Sequence, residues 1–215
     1  MDDESAARSD LVAVGKRLYE KDMVAANDGN ISVRLDAGLF LITPTGVCKG
    51  DMTEDSLLVV DECGAVVRGR GGATSEIRMH LAAYKARADV RAVVHAHPPA
   101  ATAYAICGGD FSKVTMAEMI LVVGNVGVSA YGTPSTDHLT RSIQPHLAEC
   151  DAILLENHGA MTMGKNLWDA YYRMESLEHY CKTNIYATIL GGARCLSVPE
   201  IDALKRIRAG ASVRS

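Results

Sequence analysis

The apolar residues of this chain follow helical spacing in some stretches and form short β-type runs in others, which predicts an α/β fold. Residues 6–22 carry Leu11, Val14 and Leu18 at helical intervals among charged residues, a pattern typical of an amphipathic helix. The same criterion predicts further helices at 77–87, 99–107, 137–148, 166–190 and 199–208.

Short apolar runs bounded by turn-forming residues predict the strands. Two hairpins are expected in the N-terminal half, one pairing 31–34 with 39–42 across a turn at 36–38, the other pairing 57–60 with 65–67. Other extended segments are predicted at 91–97, 119–123, 126–130 and 152–159. Because neither a repeat nor a linker interrupts the chain, we expect residues 1–215 to form a single domain, with its core over about 8–205 and a loose C-terminal tail.

Composition and charge narrow the classes of function. The 215 residues are 48% hydrophobic, and 22 Lys and Arg stand against 26 Asp and Glu, for a formal net charge of −4. Without a dense basic block, nucleic acid and anionic membranes are poor candidates for the main partner. The acidic N-terminus, six scattered cysteines and the lack of a membrane-spanning apolar run predict a cytoplasmic protein with reduced thiols.

Three polar segments are candidates for ligand binding. Asn27-Asp28-Gly29-Asn30 follows the first helix, Thr43-Pro44-Thr45-Gly46 follows a strand, and the glycine-rich residues 69–76 precede a helix. The last segment lacks the glycine spacing and the parallel strand-turn-helix unit of a dinucleotide site. Taken alone, each segment is more typical of a plain turn, and Thr74 or Ser75 is expected to cap the helix, although a helix N-terminus preceded by glycines also suits an anion.

Three of the seven histidines point to a metal site. His95 and His97 stand one residue apart at the end of an apolar strand, so their side chains share a face, and His158 follows a second apolar strand. Three neutral imidazoles suit a catalytic zinc with an open coordination position, for which Glu76 is a candidate. The helix dipole is an equally good explanation for Glu76, because it favours a negative charge in the first turn of a helix. The remaining histidines are expected to be surface or packing residues: His80, His138, His146 and His179.

Five motifs, taken in order, resemble the class II aldolase and adducin head family. They are Gly29-Asn30-Ile31-Ser32, Thr43-Pro44-Thr45-Gly46, Thr74-Ser75-Glu76, His95-Ala96-His97 and Asn157-His158-Gly159. The resemblance spans residues 8–205 or so and is closest to the zinc-dependent fuculose-1-phosphate aldolases. The family also includes rhamnulose-1-phosphate aldolase and ribulose-5-phosphate 4-epimerase.

The resemblance implies a three-layer α/β/α fold with a central mixed, mostly antiparallel sheet, in a homotetramer with active sites at subunit interfaces. It implies that zinc is bound by His95, His97, His158 and, at rest, Glu76, which would also be the catalytic acid/base. The implied phosphate pocket is lined by Gly29, Asn30, Thr45, Gly46, Thr74 and Ser75.

The activity implied is that of a lyase. A zinc-dependent aldolase would cleave a ketose 1-phosphate to dihydroxyacetone phosphate and an aldehyde, with the metal stabilising the negative charge of an enediolate.

Two departures from the sugar aldolases leave the reaction open. Met116 stands where they have a catalytic tyrosine, with Glu118 or Tyr131 as possible substitutes, and residues 207–210 lack their C-terminal tyrosine. Glu76 favours an aldolase over a 4-epimerase, since the epimerases resembled here have Asp at that position. A sugar-phosphate dehydratase or decarboxylase is an alternative, as is a non-catalytic adducin-like interaction module, which the complete set of Glu76 and three histidines disfavours.

Overall fold

A central β-sheet covered by helices on both faces forms the framework of the protein. The computed structural model describes residues 2–36 and 38–210, and within these residues eight strands form one sheet. The strands are β1 (Asn30–Arg34), β2 (Phe40–Ile42), β3 (Leu58–Val60), β4 (Val66–Arg68), β5 (Ala92–Ala96), β6 (Val126–Ser129), β7 (Ala152–Leu155) and β8 (Gly159–Gly164). The helices are α1 (Asp2–Glu20), α2 (Ile77–Ala86), α3 (Pro99–Ile106), α4 (Asp137–Leu147), α5 (Leu167–Ile189) and α6 (Val198–Arg208).

The sheet has the strand order β4-β3-β2-β1-β5-β8-β7-β6. Neighbouring strands are antiparallel except β6 and β7, which run parallel. Both predicted hairpins are present, since β1 pairs with β2 and β3 with β4. Of the turn predicted at 36–38, Ala37 lies outside the described residues. The mixed, mostly antiparallel sheet expected from the resemblance is therefore confirmed.

Alternation along the strands divides the core into two apolar clusters, one on each face of the sheet. Val94 points into a cluster with residues of α1, α3 and α5, whereas its neighbour Val93 points into a cluster with residues of α2 and α4. Because side chains alternate with a period of two, His95 shares the face of Val93, which is the face that α2 covers. The predicted three-layer arrangement is thus confirmed, and it brings the start of α2 next to the end of β5.

The prediction of an extended segment at 119–123 is wrong. Residues Met119–Val123 form a π-helical turn, which ends at Gly124 with φ +90° and a hydrogen bond from the Gly124 N–H to the Met119 carbonyl. Met119 and Val123 are buried while Leu121 is 36% exposed, a pattern that suits a helical turn. A short apolar run does not distinguish between helix and strand when composition alone is considered.

The segment predicted at 152–159 contains more structure than a single strand. β7 ends at Leu155, a tight turn follows, and β8 then runs back through the centre of the sheet between β5 and β7. The sequence analysis did not predict β8. Because β8 begins at Gly159, His158 lies in a turn between two strands. Among the described helices, none has the length and apolar character needed to cross a membrane.

Candidate active site

His95 and His97 project from the end of β5 with their ring orientations fixed by hydrogen bonds. Nδ1 of His95 lies 2.9 Å from the Ala160 carbonyl oxygen of β8, and Nδ1 of His97 lies 3.3 Å from a carboxylate oxygen of Asp28. Both partners are acceptors, so Nδ1 carries the proton in each neutral ring and Nε2 keeps its lone pair. The two Nε2 atoms are 3.2 Å apart. Two lone pairs so close together favour a cation between them.

His158 completes the group from the turn between β7 and β8. Asn157 has φ +54°, and the His158 N–H donates to the Leu155 carbonyl at 3.0 Å, which closes the turn. One ligand atom from each of the three histidines lies within 4.8 Å of the others. The three histidines singled out from the sequence are therefore brought together by β5 and by the β7–β8 turn.

Glu76 lies beside this group, immediately before α2. Its Oε2 is 3.1 Å from Nε2 of His95 and accepts a hydrogen bond from Nδ2 of Asn30 at 2.9 Å, while its Oε1 is 3.4 Å from Nε2 of His158. Burial acts to raise the pKa of Glu76, but the positive charge and the hydrogen bond that His95 offers when its ring is protonated, together with the Asn30 amide, more than offset it. The pKa of Glu76 therefore lies well below its usual range, and the side chain is an ionised carboxylate.

The donor set fits a divalent metal ion. Burial and the neighbouring His95 lower the pKa of His158 to about 4, and burial likewise lowers the pKa of His97, so these rings are neutral ligands at neutral pH. Among the described residues, the buried Oε1 of Glu76 has no hydrogen-bond partner. A buried carboxylate oxygen without a donor is costly unless a cation satisfies it. Three imidazole nitrogens and one carboxylate are a typical zinc set with a displaceable fourth ligand.

A cavity of about 350 Å³ opens next to Glu76, His97 and His158. All six residues predicted to bind phosphate line it: Gly29, Asn30, Thr45, Gly46, Thr74 and Ser75. The Thr45 N–H donates to the Gly72 carbonyl at 3.0 Å, so the turn after β2 is attached directly to the segment before α2. Together with the Asn27–Asn30 turn, these segments form the polar walls of the cavity.

Gly29 is required by the close approach of this wall to β5. Its φ is +72°, and a Cβ at this position would lie 2.8 Å from the carbonyl oxygen of His95. A side chain would therefore displace the strand that carries two of the histidines.

Thr74 acts differently from the predicted helix cap. Its Oγ1 accepts the Glu76 N–H at 3.3 Å in a turn that precedes α2, and α2 itself begins at Ile77. The hydroxyl thus orders the backbone that carries Glu76.

Several residues of the site were missed in the sequence. Asp28 orients His97, and Pro134 and Ser135 close the far side of the cavity, where the Ser135 hydroxyl donates to Oγ of Ser75 at 2.7 Å. The buried Lys49 joins two walls, since its Nζ donates to the carbonyls of Asn27 and Val47 at 3.0 and 2.8 Å. Asp28 lies within a motif that was recognised, whereas nothing local to Lys49 or Ser135 indicated a role.

Met116 and its two possible substitutes for the catalytic tyrosine, Glu118 and Tyr131, do not line this cavity. Met116 and Glu118 line a separate cavity with residues of α5, and Tyr131 is 45% exposed. The backbone N–H of Tyr131 donates to the carboxylate of Glu156 at 2.7 Å. Within the described residues of one chain, none of the three therefore lies in the wall of the cavity beside Glu76 and the histidines.

Comparison with known proteins assigns the chain to a family. The family model described as "Class II Aldolase and Adducin N-terminal domain" matches residues 9–185. An L-fuculose phosphate aldolase of Methanococcus maripaludis is 32% identical over 178 residues, which are 82% of this chain and 94% of that protein. A 3-oxo-tetronate 4-phosphate decarboxylase of Pectobacterium atrosepticum is 32% identical over 183 residues, covering 83% of this chain and 84% of the relative.

The fold comparison agrees with the sequence comparison. A solved structure of L-fuculose 1-phosphate aldolase superposes with a TM-score of 0.87 and 29% identity, covering 94% of this chain and 96% of that one. The family model alone spans most of the chain. The five sequence motifs lie within the matched residues and meet at one site in the structure. The chain belongs to the class II aldolase and adducin N-terminal domain family.

Proposed function

We propose that this protein is a zinc-dependent lyase that cleaves a ketose 1-phosphate to dihydroxyacetone phosphate and an aldehyde. The observation that carries the proposal is the convergence of Glu76 and three histidine Nε2 atoms at one wall of a cavity whose other walls are polar turns. An interaction module has no use for such a buried set, because ionisable groups are costly to bury without a function.

The proposed metal ligands are His95, His97 and His158, with Glu76 as a fourth ligand at rest. A zinc ion bound there would supply a Lewis acid next to the substrate's carbonyl and hydroxyl oxygens and so stabilise the negative charge that develops during cleavage. Asp28 and the Ala160 carbonyl keep His97 and His95 in the tautomers that metal binding requires.

The proposed phosphate site is the turn-lined part of the cavity. Hydroxyls of Thr45, Thr74 and Ser75 and the backbone around Gly29 and Gly46 offer hydrogen-bond donors to a phosphate group, in the manner of other anion sites formed by backbone turns. Among the described residues that line the cavity there is no lysine or arginine. Donors of this kind fix the position of the phosphate, and hence of the reacting carbons relative to Glu76.

Glu76 is the proposed acid/base. Cleavage leaves an electron pair on the carbon that loses the aldehyde, and the protonated Glu76 carboxyl would deliver a proton to that carbon; in the condensation direction the carboxylate removes it. Substrate that displaces Glu76 from His95 and His158 would leave burial as the main influence on its pKa, and burial raises it. The raised pKa would let Glu76 carry a proton near neutral pH.

Aldol cleavage also removes the proton of the substrate hydroxyl group whose carbon becomes the aldehyde. This proton needs an acceptor other than Glu76. Since Met116, Glu118 and Tyr131 do not line the cavity, we propose that a neighbouring subunit supplies this part of the site in a homotetramer. Light scattering of the purified protein tests the assembly, and a monomer with full activity would contradict it. We also propose that the protein is cytoplasmic, which cell fractionation would check.

A decarboxylase is the second candidate, because a 3-oxo-tetronate 4-phosphate decarboxylase is among the similar relatives. Loss of carbon dioxide from a 3-oxo acid phosphate also leaves an electron pair beside a carbonyl, so the same metal ligands and Glu76 would serve it. This reaction needs no acceptor for a hydroxyl proton, which suits a cavity that is lined by none of Met116, Glu118 and Tyr131.

Product analysis distinguishes the two reactions. The zinc-loaded protein would be incubated with ketose 1-phosphates and, separately, with 3-oxo acid 4-phosphates. Release of dihydroxyacetone phosphate supports the aldolase, and release of carbon dioxide supports the decarboxylase. Dehydration would instead leave the carbon skeleton intact, and epimerisation would leave its composition unchanged. The Glu76→Gln variant serves as the control for contaminating activity.

A further inference from the structure

A buried chain of hydrogen bonds leads from Tyr84 on α2 to the carboxylate of Glu76. Oγ of Ser32 lies 2.7 Å from both the Tyr84 hydroxyl and Nδ1 of His80. Nε2 of His80 lies 2.5 Å from Oδ1 of Asn30, whose Nδ2 donates to Oε2 of Glu76 at 2.9 Å. All five side chains belong to buried residues, and His80 and Ser32 are 0% exposed. The chain joins β1 and α2 beneath the cavity.

The chemistry of the groups fixes the direction of each bond. Asn30 presents its amide nitrogen to Oε2 of Glu76 and its oxygen, which can only accept, to Nε2 of His80. The His80 Nε2 must therefore carry a proton. In a neutral ring Nδ1 is then an acceptor, so the Ser32 hydroxyl donates to it, and the Tyr84 hydroxyl donates to Ser32.

The charge states of the two titratable members agree with this direction. Burial, with a smaller contribution from the neighbouring His95, lowers the pKa of His80 to about 3, so the ring is neutral at neutral pH. Burial also raises the pKa of Tyr84, which keeps its hydroxyl protonated and able to donate. The sequence had suggested only a surface or packing role for His80.

We infer that His80 is a positioning residue for the reaction. Its Nε2–H holds the Asn30 amide in the one orientation that donates to Oε2 of Glu76. That oxygen is then held by the Asn30 amide, whereas Oε1 accepts no hydrogen bond from the described residues. Once substrate has displaced Glu76 from its place as a metal ligand, Oε1 is the oxygen that exchanges the proton with substrate. The inference rests on the proposed acid/base role of Glu76.

Loss of the His80 donor would remove the constraint on Asn30. A rotated amide would place Oδ1 against the Glu76 carboxylate, and two oxygens at hydrogen-bond distance without a proton repel each other. Glu76 would then leave its position beside the three histidines. Because the metal is bound by those histidines, we expect the defect to appear in turnover and not in metal content.

Two variants of the same residue test the direction of the chain. The amide nitrogen of Gln reaches the place of the histidine Nε2, so His80→Gln keeps the donor to Asn30. Asn ends at the place of Nδ1, so His80→Asn keeps a partner for Ser32 but loses that donor. We expect kcat to stay near the wild-type value in His80→Gln and to fall about 10- to 100-fold in His80→Asn, with KM and zinc content unchanged in both. The exposed His138→Asn is the control.

A direct measurement complements the kinetics and does not depend on how well the variants fold. Solid-state ¹⁵N spectra of histidine-labelled, zinc-loaded protein should show His80 as the Nε2–H tautomer. An Nδ1–H tautomer, or an equal fall of kcat in His80→Gln and His80→Asn, would overturn the positioning role while leaving the aldolase proposal intact. Absence of turnover by the wild-type protein would overturn the aldolase proposal, and the tautomer would still decide the direction of the chain.

Discussion

Two carboxylates of this protein lie among three basic side chains each, with different consequences. Asp151, just before β7, lies 3.0 Å from Arg87, 3.6 Å from Arg173 and 2.6 Å from Arg208. Glu76 lies next to His95 and His158, with His97 adjacent to His95. Arginine keeps its proton in proteins, so the ion pairs of Asp151 are permanent. Histidine can be neutral, and its lone pair can bind a metal.

The partners of the two carboxylates therefore indicate a structural role for Asp151 and a chemical role for Glu76. Arg87 follows α2, Arg173 belongs to α5 and Arg208 to α6, so Asp151 connects three helices to the sheet. Hydrogen bonds to Asp89, which have the largest effect, and to Asp151 raise the pKa of Arg87 above its usual value. Every charge at Asp151 has a partner within the chain. At Glu76, Oε1 has no hydrogen-bond partner among the described residues, so its lone pairs can serve chemistry.

The largest effect is expected when a histidine is removed. His95→Ala should lose bound zinc and, with it, more than about 100-fold in activity, because changes to groups that merely support a metal ligand already cost 10- to 100-fold. Metal analysis and product assays measure the two losses. Chelation of the wild-type protein should reproduce the loss of activity, and re-addition of zinc should restore it. A His95→Ala protein that keeps both metal and activity would contradict the proposed ligand set.

Glu76→Gln should reduce turnover by about 100- to 10,000-fold, the usual contribution of a general acid/base. The amide cannot exchange a proton, yet it keeps the size of the side chain, so the melting temperature should change little. Binding of inorganic phosphate, measured by calorimetry, should persist, since the turn-lined part of the cavity is unaltered. Normal turnover would show that another group transfers the proton.

Much of the fold and of the site could be predicted from the sequence. Periodicity located α1, α2, α5 and both hairpins, because each has a clear apolar face or a turn of recognisable residues. The strand end that carries His95 was recognised because two histidines, His95 and His97, close an apolar run, and His158 was recognised because it ends a polar triplet that follows another apolar run. These are local signals, and the structure contains them where they were expected.

What the sequence did not predict depends on contacts between distant residues. β8 was missed because its run of Ala160, Met161 and Met163 gains its meaning only from pairing with β5 on one side and β7 on the other. His80 was assigned to the surface or to packing, since its partner Asn30 is 50 residues away in the chain. Hydrogen-bond networks of this kind follow from the tertiary fold and leave no periodic pattern.

The opposite variant to Glu76→Gln is Asp151→Asn. Asp151→Asn removes one negative charge and leaves the guanidinium groups of Arg87, Arg173 and Arg208 close together. We expect the free energy of unfolding to fall by about 2–3 kcal/mol, the range expected for partly buried charged hydrogen bonds. Thermal unfolding should show a fall of about 5–10 °C. Activity per zinc-loaded folded molecule should match the wild type. A variant that is stable but inactive would mean that the two carboxylates are functionally coupled.

The smallest effect is expected for Arg208→Gln. Arg208 donates to Asp151 and to the Ile120 carbonyl at 2.6 and 3.1 Å, and α6 contains no buried residue, so these bonds are a main attachment of that helix. Its side chain is 31% exposed, which limits the loss to about 0.5–1 kcal/mol. Hydrogen exchange should therefore accelerate in α6 and in the π-helical turn, but not in β5 or α2. Faster exchange around Glu76 and His95 would contradict the separation between the arginine cluster and the candidate active site.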